Sequence, residues 1–150
     1  DGLKSLAFLG ESFEPFFVQG NLTIQDTEIK AGVQADAPTN NVRQLSGASN
    51  YVANLMMGFD SMNGQHSTTL VYNVFGERLY LAGRNGAPDG FELPFHSLDL
   101  TYSWYPTELI TINGKLQNLL NERVIIERDG VNTFEEKPGM TAALSFNLTF

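Results

Sequence analysis

The last nine residues, Ala142-Ala143-Leu144-Ser145-Phe146-Asn147-Leu148-Thr149-Phe150, constrain this chain more than any other stretch. In a strand, Ala142, Leu144, Phe146, Leu148 and Phe150 point one way and Ala143, Ser145, Asn147 and Thr149 the other. The strand runs to a terminal aromatic with no polar segment after it. A transmembrane barrel strand can end so, because lipid takes the apolar face and the wet interior takes the polar one. The alternative is a soluble β-sandwich whose last strand falls at the terminus, which predicts that the apolar set is buried in protein.

No apolar run approaches the roughly eighteen residues of a membrane helix. The longest, such as Leu6-Ala7-Phe8-Leu9 and Val124-Ile125-Ile126, span a few residues each. Alternation therefore has to decide the fold class, because barrel strands dilute their own hydropathy with interior residues. A chain of 150 residues suits one domain. The absence of cysteine excludes a disulfide scaffold and thiolate metal sites. A formal charge of −8 argues against nucleic acid as a partner and against a polybasic membrane anchor. Asp1-Gly2-Leu3-Lys4 does not read as a signal peptide, so an exported protein is expected here in mature or truncated form.

Period-two patterning recurs along the chain. Phe16, Val18, Leu22 and Ile24 oppose Phe17, Gln19, Asn21 and Thr23, which predicts a strand from about 15 to 30. A loop rich in Ala, Pro, Asn and Gly follows through Ala37 to Gly47. Tyr51, Ala53, Leu55, Met57 and Phe59 give a strand over about 50–60, turning at Asn63-Gly64 into a return strand over about 67–81. Leu98, Leu100, Tyr102 and Trp104 oppose Ser97, Asp99, Thr101 and Ser103 in a strand over about 96–105. Tyr102, Trp104 and Tyr105 suit an aromatic girdle at a membrane interface. After a turn at Pro106-Thr107-Glu108, Ile110, Ile112, Leu116 and Leu120 continue the alternation, with a helix over 116–124 as the competing reading. Residues 1–9 read as the tail of one further strand.

The connections alternate in length. Short turns near 63–64 and 106–107 separate longer polar connections at 31–47, 82–94 and 127–139. Bacterial outer-membrane barrels have short periplasmic turns and longer outer loops, so the long connections are expected to face outward. The fold class is thus all-β: an antiparallel, up-and-down transmembrane barrel wall of six to seven strands. That is fewer than the eight of the smallest bacterial barrels, so an open sheet is expected to associate with itself or with missing strands.

Little in the sequence points to catalysis. His66 and His96 lie near strand starts and read as solvated turn residues, since with Asp60 or Asp99 they fit no ligand spacing. Glu11/Glu14 and Glu135/Glu136 read as loop charges, and His96, Ser97 and Asp99 form no local triad because His96 faces away from the other two. No enzyme activity, cofactor or metal is expected. On the outer loops, Arg43, Arg84, Asn85 and Asp89 are candidate ligand contacts, with plain solubility as their bland reading.

The chain resembles the C-terminal barrel portion of TonB-dependent outer-membrane receptors. The likeness is carried by Gly20-Asn21-Leu22-Thr23, by Leu45 to Leu55, by Leu70 to Arg78, by His96-Ser97-Leu98-Asp99-Leu100, and by Gln117-Asn118-Leu119-Leu120 with the terminal Phe. Leu144, Phe146, Leu148 and Phe150 resemble the signal read by the outer-membrane barrel-assembly machinery. The resemblance implies the last six to seven strands of a 22-stranded barrel with a plug domain. It also implies uptake of a scarce ligand (siderophore, cobalamin or oligosaccharide) and outer-membrane lipid as surroundings. Partners would be the remainder of the barrel with its plug and, through a missing N-terminal region, the TonB complex. Asn21, Asn54, Asn73, Asp99, Asn113 and Lys115 would line the wall around that plug. A complete small outer-membrane barrel with a structural or adhesion role, and a soluble sandwich binding module, are the alternatives.

Overall fold

Alternation in the sequence becomes a single wide sheet. The computed structural model describes residues 2–30, 32 and 38–150. Numbered in chain order, the main sheet contains β1 (Gly2–Ser5), β2 (Phe16–Ile24), β5 (Tyr51–Asp60), β6 (His66–Phe75), β9 (Phe95–Thr107), β10 (Ile110–Gln117) and β13 (Thr141–Leu148). Shorter strands fill the excursions between them: β3 (Ile29–Lys30), β4 (Val42–Arg43), β7 (Arg78–Leu81), β8 (Gly90–Glu92), β11 (Val124–Arg128) and β12 (Val131–Glu136). The main sheet is seven-stranded in the order β1-β2-β5-β6-β9-β10-β13, with every neighbour antiparallel. It is an up-and-down meander that does not close: β1 and β13 are its edges.

The turns account for the meander. At Ser61–Gln65 the Gly64 N–H donates to the Ser61 carbonyl at 2.8 Å, and Asn63 Oδ1 accepts from the Gln65 N–H at 3.0 Å. Only Gly64 of the Asn-Gly pair takes positive φ, at 67°. The next hairpin turns at Glu108-Leu109, between paired Thr107 and Ile110, so Pro106 and Thr107 belong to β9 and not to the turn. Both tight turns lie at one end of the sheet. The excursions β2→β5, β6→β9 and β10→β13 all leave from the other end.

Three expectations are revised, and the competing helix is ruled out. The strand over 15–30 ends at Ile24, and Ile29–Lys30 pairs instead with Val42–Arg43 inside the expected loop, whose residues 31 and 33–37 lie outside the described ones. The strand over 67–81 breaks at Gly76, which the Tyr51 ring covers so closely that a Cβ there would lie 2.6 Å from a ring carbon. The segments 82–94 and 127–139 are not simple loops. They hold β8 and β12, which join β7 and β11 in a four-stranded sheet of order β12-β11-β8-β7. No helix forms over 116–124, because Asn118 and Asn121 take positive φ (54° and 52°) and β10 stops at Gln117.

The small sheet has its own interior. Leu79 is fully buried, and Ile126 and Glu92 are nearly so. The main sheet has almost none: among the described hydrophobic residues only Val74, Leu79 and Ile126 are buried, and Val74 alone belongs to it. On β5, Gly58 lies directly opposite Phe17, whose ring lies across it; a Cβ would sit 2.0 Å from the ring. An aromatic laid over a strand glycine restores the contact that the missing side chain gives up.

Candidate functional site

The register carries one apolar face across the whole main sheet. Val18, Met57, Leu70, Leu100, Leu116 and Ala142 are successive cross-strand neighbours in one row, which begins at Lys4 on the β1 edge. A slip of one residue in any strand would break this row, so the pairing is specified by the sequence pattern. Yet the face is uncovered by protein. Leu22 is 63% exposed, Leu144 65% and Phe146 68%.

Aromatic residues collect at both ends of this face. At the tight-turn end, Phe16 meets Phe59 at 5.0 Å between centroids, and His66 lies near-parallel to Tyr102 and Trp104. His66 Nδ1 is 2.7 Å from Tyr102 Oη. At the other end, Tyr72 Oη is 2.6 Å from His96 Nδ1. Both histidines therefore face the apolar side and share a hydrogen bond with a diagonal tyrosine on the neighbouring strand. Both lie at strand starts, as expected, and belong to β6 and β9 themselves and not to a turn. Asp60 and Asp99 lie on the opposite face, paired across from Ser67 and Val71, so neither joins a histidine. Among the described residues no group of three His, Cys, Asp or Glu converges as a metal site.

The other face is mostly polar. Asn21, Asn54, Asn73 and Ser97 form one cross-strand row, and Asn54 Nδ2 donates to Asn21 Oδ1 at 2.6 Å. Ser67, Ser103, Asn113 and Ser145 form another, with Ser103 Oγ donating to Asn113 Oδ1 at 2.8 Å. Asp99 and Lys115 share this face, so all six residues expected to line an interior wall lie on one side of the sheet. Asp99 has a local duty as well: its Oδ1 accepts from the Asn118 N–H at 2.9 Å, holding the chain where β10 ends. Phe17, Met56, Val71, Phe75 and Phe95 interrupt the polar surface, and Phe75 and Phe95 stack 5.8 Å apart.

The excursions are laced together at the third region, the long-connection rim. Asp89 is buried; its Oδ2 accepts from Asn40 Nδ2 and its Oδ1 from the Gly83 N–H, both at 2.6 Å. Thr39 Oγ1 donates to the Ala87 carbonyl at 2.6 Å, and Pro38 bridges Arg84. Of the four candidate ligand contacts, Asp89 thus has both carboxylate oxygens committed to the fold. Asn85 takes positive φ (53°) ahead of Gly86 (82°) and forms the tip of a tight turn. Arg84 sits on the bridge to Pro38. Arg43 is paired opposite Ile29 in β4, with its Nη1 buried and unpartnered. The structure brings Arg84, Asn85 and Asp89 onto one connection and leaves Arg43 on a separate ladder.

Sequence reasoning did not single out Arg78 and Glu92. Arg78 Nε and Nη2 donate to the two carboxylate oxygens of Glu92 at 2.8 and 3.0 Å, and the guanidinium lies 4.3 Å from the Phe75 ring centroid. This clamp joins the small sheet to the end of β6. Arg123 pairs with Glu135 across the β11–β12 hairpin, so Glu135 is a structural charge. Compared with protein-family models, with characterised proteins and with solved structures, the chain matches none.

Proposed function

We propose that this chain is a wall segment of an outer-membrane TonB-dependent receptor, taking part in uptake of a scarce ligand and doing no chemistry of its own. One observation carries the reading: a mainly apolar face that runs from β2 to β13, aromatic at both ends, is left without protein cover while its reverse is mostly polar. A soluble domain of this length gains its stability by burying such residues. Here the surrounding medium has to supply the apolar contact, and a bilayer does so.

The dimensions support the same reading. From the His66–Trp104 pair to the Val74–His96 pair is eight residues, about 27 Å along a strand. At the usual barrel tilt that is roughly 20 Å of height, near the roughly 25 Å apolar band of outer-membrane barrels. The Tyr–His pairs fall at the ends of the band, where an amphipathic ring sits with its polar tip toward headgroups. The three longest connections share one rim, while the other carries the two tight turns and the shorter connection over 6–15, a sidedness close to that of such barrels. The polar face is then the interior wall against the plug, and Arg43, Arg84 and Asn85 on the rim are the ligand-contact candidates. The localisation that follows is the cell outer membrane.

Trp104, the sole tryptophan, provides the test. The full chain is refolded into vesicles whose acyl chains carry bromine at graded depths. Strong quenching by shallow bromine and weak quenching by bromine near the bilayer centre is the expected result. Water-like Trp104 emission, with a monodisperse monomer in detergent-free buffer, would instead establish the sandwich module. A complete small barrel is less well supported, because the sheet has seven strands and stays open.

A further inference from the structure

A hollow in the four-stranded sheet has no part in the reading above, and two ladders slip where it lies. Between β7 and β8 the pairing passes from Leu79–Phe91 to Leu81–Gly90, which leaves Tyr80 without a cross-strand partner. Between β11 and β12 it passes from Ile126–Phe134 to Glu127–Asn132, which leaves Thr133 without one. A bulge of this kind re-aims the side chain of the extra residue. Both extra residues line one hollow of about 220 Å³, together with Leu81, Ile126, Arg128 and Phe134. Two separate irregularities thus open onto one concavity.

Its walls are mostly apolar. Ile126 is buried, whereas Tyr80, Leu81 and Phe134 are about half exposed. Arg128 is the one charged group on the lining among the described residues. It is part-buried, and its side chain crosses Gly90 so closely that a Cβ there would lie 3.1 Å from Nε and 3.3 Å from Cγ. Covering Gly90 in this way uses the stem and leaves the head uncommitted. Arg78 and Arg123 each hold a carboxylate, but the Arg128 guanidinium makes no hydrogen bond or ion pair with any described residue. Arg128 also borders a second hollow of about 380 Å³, where Arg84 joins it on the lining. In a chain with 17 Asp and Glu against 9 Lys and Arg, neither hollow has a carboxylate among the described residues that line it.

The chemistry of a ligand follows from these walls. A guanidinium fork matches a carboxylate with two parallel hydrogen bonds. An apolar cavity of about 150 Å³ takes a benzene ring, so this hollow has room for one ring-sized apolar body, and aromatic walls suit a flat one. The net charge of −8 opposes a dianion more than a monoanion. We propose that the small sheet carries a binding site for a small carboxylic acid with a ring-sized apolar body, its carboxylate on Arg128 and its body in the hollow lined by Tyr80 and Phe134. The site is built from β7, β8, β11 and β12 alone, so it does not depend on what the main sheet faces.

Benzoate is the probe. Its binding to the full chain in zwitterionic detergent micelles is titrated by saturation-transfer NMR, with protein-free micelles as the blank. Saturable binding of benzoate is expected, with benzamide and acetate each weaker by about tenfold or more and phenyl phosphate also weaker than benzoate. No saturable binding of benzoate, or binding of any of the other three as tight as benzoate's, would overturn the proposal, and this comparison needs no variant. R128Q keeps part of the stem over Gly90 and should lower benzoate affinity about tenfold. R123Q, which removes the ion pair with Glu135 at the start of the same hairpin, should leave it unchanged. Equal affinity in R128Q and the unaltered chain would reduce Arg128 to packing and overturn the site. Trp104 quenching by brominated lipid is scored separately: its failure with benzoate bound strikes only the outer-membrane reading, and its success with benzoate unbound strikes only this site.

Discussion

The two sheets of this protein solve the same problem in opposite ways. The four-stranded sheet is small, yet it buries Leu79 completely, encloses Ile126 and Glu92, and ties itself with the Arg78–Glu92 and Arg123–Glu135 pairs. The seven-stranded sheet is far larger and has one buried hydrophobic residue among those described, while Leu22, Leu55, Leu116, Leu144 and Phe146 stand exposed along one face. The small sheet holds a local interior around Leu79 and Ile126 with the buried Glu92 carboxylate paired to Arg78, while Tyr80, Leu81, Val131 and Phe134 stay exposed. The large one has its shape from its ladders and leaves its apolar face without protein cover. Size alone therefore does not create a core; the relation between strand parity and what lies outside does.

Mutations can break or sharpen this contrast. Leu79→Ala should have the largest effect, about 3–5 kcal/mol, because it empties the one fully buried large side-chain site among the described residues; chemical denaturation should show the small sheet lost while Trp104, in the large sheet, keeps its emission. Leu100→Arg places a charge mid-face in the long apolar row and should cost about 2–4 kcal/mol in vesicles. Thr101→Arg, one residue on and facing the polar side, should stay within about 0.5 kcal/mol. Equal costs for that pair in a vesicle folding titration would erase the distinction between the faces. Arg78→Ala leaves the buried Glu92 carboxylate without its partner; since the Arg78 side chain is one-third exposed, water moderates the loss to about 2 kcal/mol. Glu92→Gln in the same background should recover part of it. Among the substitutions expected to destabilise, Gly130→Ala has the smallest effect, about 1 kcal/mol, because Asp129 and Gly130 both take positive φ (49° and 76°) in the β11–β12 turn.

The large sheet was legible in the sequence because its strands are long and alternate cleanly: β5, β9 and β13 fall within two residues of their expected bounds. The parity of Asn21, Asn54, Asn73, Asp99, Asn113 and Lys115 also put all six on one face. The small sheet was not legible. β8 spans three residues and β7 four, too few for a period to stand out, and the Asp129-Gly130 hairpin looked like the edge of a loop. The Tyr–His pairs needed register between strands, which no single strand carries. Their side was available all the same, since His66 shares parity with Leu70 and His96 with Leu98. Asp89 illustrates the limit at the rim: an aspartate between Pro88 and Gly90 signals a turn, but nothing local reveals that Asn40 and Gly83 will claim both its oxygens.

All three excursions spring from one rim, and this makes the wall modular in a one-sided way. Segments on that rim can be lengthened, swapped or decorated without shifting the hydrogen-bond ladder beneath them, whereas the hairpins at Ser61–Gln65 and Glu108–Leu109 are too tight to accept an added residue without dragging a strand out of step. Peptide tags or foreign epitopes inserted between β7 and β8 or between β11 and β12 should leave the staves in place, and divergence among descendants of this chain should accumulate at that end first.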